Sequence, residues 1–486
     1  MSVNHSSASM KDFHAAATEA AWREKMDITK LALCWALTLT TSTLLTTIGP
    51  LAAKDIGASD TMAPFTIGTF LIGAAVSSVP SGKLFRKHGR YWGFTFGCFC
   101  QLVGSAVGSF SMIVDSLPLL FIGCFSVGLG QGLGQFYRFA AVEVASEDHK
   151  SKAVTFVLTG GVLAAFLGPS SANFTKDIVS HEYFGSFLSM GIIGLLNWGV
   201  VALVNFPAHD PERQMAEVEA NSRRSRPLRE IMSQPIFIMS CTVATIAHTV
   251  MVMIMSNCTI AMDEDYTFQT ATIVLELHFF AMFSPGFYTG KFIKHSGTFV
   301  VSVYGAVLFA MSATVFAIGQ EKWNYFAGML LLGIAWNFSF SAGTVMLTES
   351  YLPHEATDVQ AVNDFILFTI AGAGSLVSGV IYSSFSWPIL IYASSALMLV
   401  NLVLFSGIYY MKVKHPDNDF LSLKLNEQLI DDEDVTALLE SSDKYDIDQR
   451  RSDVSSNQYP NTHRVNSMCS DNHLENMEKV RSLSFV

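Results

Sequence analysis

Twelve blocks of about 20 apolar residues recur along this 486-residue chain. Each is long enough to cross a ~30 Å hydrocarbon layer as an α-helix, and no other feature narrows the possible folds so far. The blocks fall at 31–53, 62–82, 91–111, 117–142, 152–172 and 183–206, then at 235–257, 267–289, 298–318, 324–347, 360–383 and 387–411. Composition agrees: half of the residues are apolar and 15% are charged, against about a quarter charged in soluble domains. The first 27 residues mix Lys11, Arg23 and Lys25 with Asp12, Glu19, Glu24 and Asp27. They lack the apolar centre of a cleavable signal, so the first block reads as a retained span. The expected fold class is an all-α integral membrane protein of twelve transmembrane helices.

Lysine and arginine orient the spans. With the N-terminus inside, the inner loops hold Lys83, Arg86, Lys87, Arg90, Lys150, Lys152, Arg213, Arg223, Arg224, Arg226, Arg229, Lys291 and Lys294, thirteen in all. The outer loops hold three, Lys54, Lys176 and Lys322, among several acids. Both termini are therefore expected in the cytoplasm. Two glycosylation sequons, at Asn173 and Asn257, fall on the outer side, which predicts a glycoprotein.

The basic loop "GKLFRKHGR" (Gly82 to Arg90) has a cousin, "GKFIKHSG" (Gly290 to Gly297), 208 residues later. Gly89 and Gly297 keep that offset, and so do "KAVT" at Lys152 and "QAVN" at Gln360. The chain thus reads as two parallel, pseudosymmetric six-helix bundles. The expected organisation is a cytoplasmic N-terminal tail (1–30), a first bundle (31–206), a cytoplasmic linker (207–234), a second bundle (235–411) and a disordered cytoplasmic tail (412–486).

Twelve spans, a basic central loop and a repeated G-x6-G loop resemble the major facilitator superfamily (MFS) over residues 30–412. Gly82, Gly89 and Arg90 fit that family's loop signature, but its Asp is replaced by Arg86 here and by Lys294 in the second half. The family's span-4 arginine position holds Cys124, and Gly160, Gly168 and Pro169 resemble its antiporter motif. Within the family, "QFYRFAAVE", "HFFAMFSPGFYTG" and "AWNFSFSAGT" resemble a bacterial-type branch that includes riboflavin importers. The resemblance implies alternating access and a loop charge that meets the start of span 11 when the cytoplasmic side is shut. With the sign of that charge reversed, the expected cytoplasmic gate pairs Arg86 or Arg90 with Asp364, and Lys294 with Asp148. The competing reading is a topology signal plus solvated surface charge.

Polar groups at membrane depth are costly and mark a cavity or a proton path. Gln131, Gln135 and Arg138 recur at helical spacing in span 4 and form one candidate solute-binding stripe. Arg138 reads either as a binder of an anionic or carbonyl-bearing solute or as a snorkelling arginine paired with an acid such as Glu143. Trp336 could stack on a planar cargo and Asn337 could bond its edge, unless both serve packing. Glu276 in span 8 is the candidate proton-coupling acid, with a hydrogen-bonded structural carboxyl as its alternative. His278 and His248 read as packing residues.

These features predict a secondary active transporter of a small organic solute, proton-coupled, with a facilitative uniporter or a transporter-like receptor or scaffold as alternatives. No nucleotide loop, H-E-x-x-H or catalytic cluster is present, so no enzyme, ATP-driven pump, cofactor or bound metal is expected. The seven cysteines lack disulfide or metal-ligand spacing. The net charge of −11 comes largely from the C-terminal tail and gives no case for nucleic acid. Asp434, Leu438 and Leu439 in that tail match an acidic dileucine sorting signal for an adaptor. The expected setting is the plasma membrane or an endosomal or lysosomal membrane, with the protein acting as a monomer.

Overall fold

A computed structural model describes residues 3–146, 149–207, 225–263 and 265–414. Asp148 and the sorting motif at Asp434, Leu438 and Leu439 lie outside them. Every regular element among the described residues is helical: α1 (Val3–Asp55), α2 (Phe65–Ile113), α3 (Leu117–Gly134), α4 (Tyr137–Val144), α5 (Lys150–Thr175), α6 (Phe184–Ala202), α7 (Leu228–Ser233), α8 (Pro235–Asp263), α9 (Phe268–Phe283), α10 (Gly286–Ile318), α11 (Lys322–Thr348), a 3₁₀ turn (Pro353–Glu355), α12 (Ala356–Phe385) and α13 (Trp387–Lys414).

Ten of the described helical segments are long and apolar enough to cross a membrane. Two further spans come from the repeat. The 49-residue α2 holds spans 2 and 3, and the short apolar α9 supplies span 8. The basic segment between spans 2 and 3 is therefore helical up to Gly89 and not an open loop. There the backbone turns at φ 82°, ψ 166°, and 208 residues later Gly297 adopts φ 83°, ψ 158°. Only glycine enters this region without strain. The 208-residue sequence offset is thus matched by the same backbone turn in each half.

The two ends of the bundle differ in how they are packed. One end carries Asp55, Asp60, Asp263 and Asp265; the other carries the two basic segments. Toward the acidic end a single buried cluster runs across both halves, from Leu44, Ile48 and Ile67 to Val250, Ile254 and Leu367. Toward the basic end the core divides. Leu31, Phe94, Tyr137 and Val157 form one cluster in the first half, and Phe237, Leu347 and Val359 anchor a separate one in the second. Burial at about 25 cal/mol per Å² therefore holds the halves together mainly at one end.

Close approach of small residues makes the acidic seal. The Ser375 hydroxyl donates to the Pro64 carbonyl at 2.9 Å, and the Thr61 and Ser383 hydroxyls lie 2.6 Å apart. A Cβ on Gly372 would sit 3.1 Å from the Gly68 carbonyl, so these helices cross nearly backbone to backbone. Lys54 bridges Asp60 at 3.3 Å and, across the halves, Asp263 at 3.7 Å. The Lys176 ammonium lies 4.6 Å above the ring of Phe268, the first residue of α9.

The structure corrects one expectation directly. Asn257 is fully buried within α8, and its amide donates to the Met253 carbonyl and the Ser378 hydroxyl. A glycan cannot be joined to a side chain enclosed in this way. Asn173 lies half-buried near the end of α5.

Candidate functional site

At the middle of the second half, four helices bring aromatic rings together. Trp336 and Phe340 on α11 are one helical turn apart and stack at 4.6 Å. His248 on α8 lies 5.9 Å from Trp336, 6.1 Å from Phe340 and 6.0 Å edge-on from Phe368 of α12. Phe283 at the end of α9 meets Trp336 edge-to-face at 6.4 Å and also packs against the Gly161 backbone of α5 in the other half. The Trp336 indole N–H donates to His248 Nδ1 at 3.0 Å. Offset and edge-on aromatic contacts of this kind make walls for a flat ring.

Trp336 is itself buried, with its indole N–H turned to His248. Asn337 is buried too: its amide donates to the Met282 carbonyl at 2.7 Å, and its carbonyl accepts from Thr289 at 2.6 Å. It ties span 10 to span 8. His248 was the residue that sequence reasoning set aside as packing. Its partner Trp336 lies 88 positions away, so no local pattern could have exposed it. His278 is the packing histidine expected, fully buried with Nδ1 2.9 Å from the Met329 carbonyl.

The first half contributes polar side chains. The glycine-rich run in span 4 interrupts the helix, so α3 ends at Gly134 and α4 begins at Tyr137. The Gln131, Gln135 and Arg138 stripe is therefore broken in the middle. Gln131 is buried and accepts from the Ser42 hydroxyl at 2.6 Å. Gln135 sits half-buried at the break. Arg138 reaches across the halves to Asp364 at 3.6 Å, beyond hydrogen-bond length, with both side chains 20% exposed. Its Nε is buried without a partner. Asp364 and Phe368 lie four apart on α12, so the ion pair stands one helical turn from the aromatic cluster.

This is not the pairing expected for the gate. Asp364 faces Arg138, and Arg90 instead forms a forked pair with Glu143 inside its own half. Arg86 and Lys294 make no ion pair among the described residues. The basic segment does touch the start of α12, where a Cβ on Gly82 would lie 3.3 Å from the Thr357 methyl, but neither Arg86 nor Arg90 pairs with an acid there. Glu355, which precedes α12, is taken by the linker. Arg226 donates to it from its backbone N–H at 2.9 Å and from Nη2 at 2.6 Å. Burial would raise the Glu355 carboxyl, but these bonds and one from the Leu352 N–H outweigh it and hold the group below the usual carboxylate range.

Glu276 lies about 12 Å along α9, eight residues from its start at 1.5 Å each. It accepts from the Ser170 hydroxyl of α5 at 3.0 Å and so spans the interface between the halves. By the 208-residue offset its counterpart is Gly68, which meets Gly372 and Leu376 of α12. One crossing is thus closed by small residues and the other by a carboxylate.

A family model described as Major Facilitator Superfamily matches residues 31–374. The chain belongs to the major facilitator superfamily. This MFS transporter is 29% identical over 385 residues to the riboflavin transporter RfnT of Brucella anthropi, covering 78% of this chain and 96% of that one. It is 24% identical to the uncharacterized MFS-type transporter YddS of Bacillus subtilis over 371 residues, covering 73% of this chain and 84% of the relative. Among solved structures, an outward-facing bacterial homologue of the iron transporter ferroportin aligns at a TM-score of 0.54 and 15% identity, covering 79% of this chain and 99% of that one. The E. coli fucose:proton symporter FucP aligns at 0.52 and 16% identity, covering 78% and 98%. Both likenesses speak to the fold alone. Family membership brings a membrane setting and a small-molecule solute, and the MFS is not an enzyme family.

Proposed function

We propose that this protein is a proton-coupled secondary transporter that carries a planar, polar small molecule by alternating access. The observation that carries this reading is the unequal closure of the two halves. One buried core joins them at the acidic end, and separate cores divide them at the basic end. Tighter closure at one end than at the other is what one half of an alternating cycle presents. The thirteen-to-three bias of lysine and arginine supports a cytoplasmic basic end and cytoplasmic termini. In that orientation the larger seal between the halves lies on the outer side.

Glu276 is the proton site in this reading. It is an acid at membrane depth, and its hydroxyl partner lies on the opposite half. Movement of the halves breaks or makes that bond, so the surroundings of the carboxyl change with the state of the transporter. The aromatic walls at Trp336, Phe340 and Phe368 support a flat cargo, and Arg138, paired with Asp364 one turn from Phe368, brings a polar group to them from the other half. The riboflavin transporter among the relatives makes riboflavin the first solute to test.

The experiment is uptake of labelled riboflavin into proteoliposomes, with and without an inward proton gradient, for wild type and Glu276→Gln. Gradient-stimulated uptake that the substitution abolishes is expected. Uptake indifferent to both would remove the coupling and leave a facilitative uniporter. No uptake by folded wild-type protein would remove riboflavin as cargo and favour a receptor or scaffold.

A further inference from the structure

The hydrogen bond between Trp336 and His248 has a chemical direction. An indole N–H can only donate, so His248 Nδ1 must present a lone pair to it. An imidazolium has two donors and no acceptor, and cannot take part. The 3.0 Å contact therefore fixes His248 as the neutral tautomer with its proton on Nε2. That Nε2–H has no hydrogen-bond partner among the described residues. It is also not among the sealed, unpartnered polar atoms, unlike His278 Nε2. His248 is half-buried, where His278 is fully enclosed.

The rings around it define what that donor can reach. Trp336, Phe340 and Phe368 all lie within 6.1 Å of the imidazole. They offer aromatic surface and, for the two phenylalanines, no polar group at all. On the far side toward the basic end stand Arg138 and Asp364, held only loosely at 3.6 Å.

We infer that His248, oriented by Trp336, is a specificity-determining hydrogen-bond donor that reads an acceptor on the edge of a planar heteroaromatic cargo. The inference rests on the transport reading above and names the class of solute: a flat ring system bearing a carbonyl oxygen or unprotonated ring nitrogen at its rim. Trp336 acts here as a positioning residue as well as a wall. A site built to give a hydrogen bond rejects an analogue that lacks the acceptor, because its own donor is then left unpaired among aromatic rings.

The test is direct binding to the full-length protein in lipid nanodiscs, using riboflavin, xanthine and, as a non-planar control, glucose. His248→Phe keeps the ring shape and removes the donor, and should weaken binding of the planar probe about tenfold, the equivalent of one hydrogen bond. His248→Gln places an amide N–H at similar reach and can still accept from Trp336, so it should stay within about threefold of wild type. Trp336→Phe should cost several-fold in wild type and little in the His248→Phe background, since both act through one bond. Should His248→Phe fail to fold, His248→Met is read in its place. Equal affinity of a folded donor-less variant and wild type for a probe that binds overturns this inference and leaves the transport reading standing. Binding of neither planar probe by folded wild-type protein overturns the cargo class, and this inference with it.

Discussion

The seal at the acidic end can be strained without touching the basic end, and Gly379 is the place to do it. A Cβ built there would lie inside 3.0 Å of the Thr61 carbonyl oxygen and 3.1 Å from Pro64 Cγ, both on the opposite half. Neither neighbour is a flexible side-chain tip, so Gly379→Ala must push the start of α2 away from α12. Such overpacking costs about 1–3 kcal/mol. The gain in helix propensity from Gly to Ala, about 1 kcal/mol, is common to every state in which α12 is helical and cancels. The clash exists only while the acidic end is shut. The substitution should therefore shift the population toward a state open at that end by about fivefold to a hundredfold. Ser375 reports on this because it is fully buried in the seal. A Ser375→Cys reporter in lipid nanodiscs should react with a hydrophilic thiol reagent faster by that factor when Gly379→Ala is added. The six cysteines among the described residues are all buried, and Cys469 is changed to Ser in the reporter background. An unchanged labelling rate in protein with a wild-type melting profile would refute the argument that this crossing holds the acidic end closed.

The remaining prediction concerns the linker anchor. Glu355→Gln removes the carboxylate that Arg226 grips through its backbone N–H, Nε and Nη2, and should destabilise the second half by about 3 kcal/mol, read as a fall in melting temperature. The wild-type pair also carries a pH signature. Because the folded-state carboxyl is held below its unfolded value, its stabilisation is present above about pH 4.3 and is lost as pH falls through the lower folded value. Wild type and Glu355→Gln should therefore melt far apart at pH 7 and converge below about pH 4. A constant difference across that range would show that the pair is not what separates them.

How much of this was legible beforehand can be argued residue by residue. The spans followed from block length, because hydrocarbon thickness sets a length that composition alone satisfies or fails. The repeat followed from two glycines 208 positions apart, and Gly89 and Gly297 do adopt the same left-handed turn. Charge sign placed the basic segments but could not name their partners. Asp364 meets Arg138 across the halves, while Arg90 meets Glu143 nearby. Which acid a cation finds depends on the conformational state, and the sequence is common to all states. Asn257 carries a valid sequon yet is enclosed by Ser378, 121 positions away. His248 gained its place in the site only through Trp336. Glu276 stood out for the opposite reason: an acid in an apolar helix is conspicuous wherever its partner lies.

The account turns on the acidic end having to open and close in each cycle, and one measurement addresses that most directly. The Thr61 and Ser383 hydroxyls lie 2.6 Å apart on opposite halves, a separation suited to a disulfide once both are cysteine. Uptake of the solute identified for the wild type should be retained by Thr61→Cys/Ser383→Cys protein when reduced, stop on oxidation, and return when reductant is added. Undiminished uptake by protein shown to be fully cross-linked would contradict alternating access through this end.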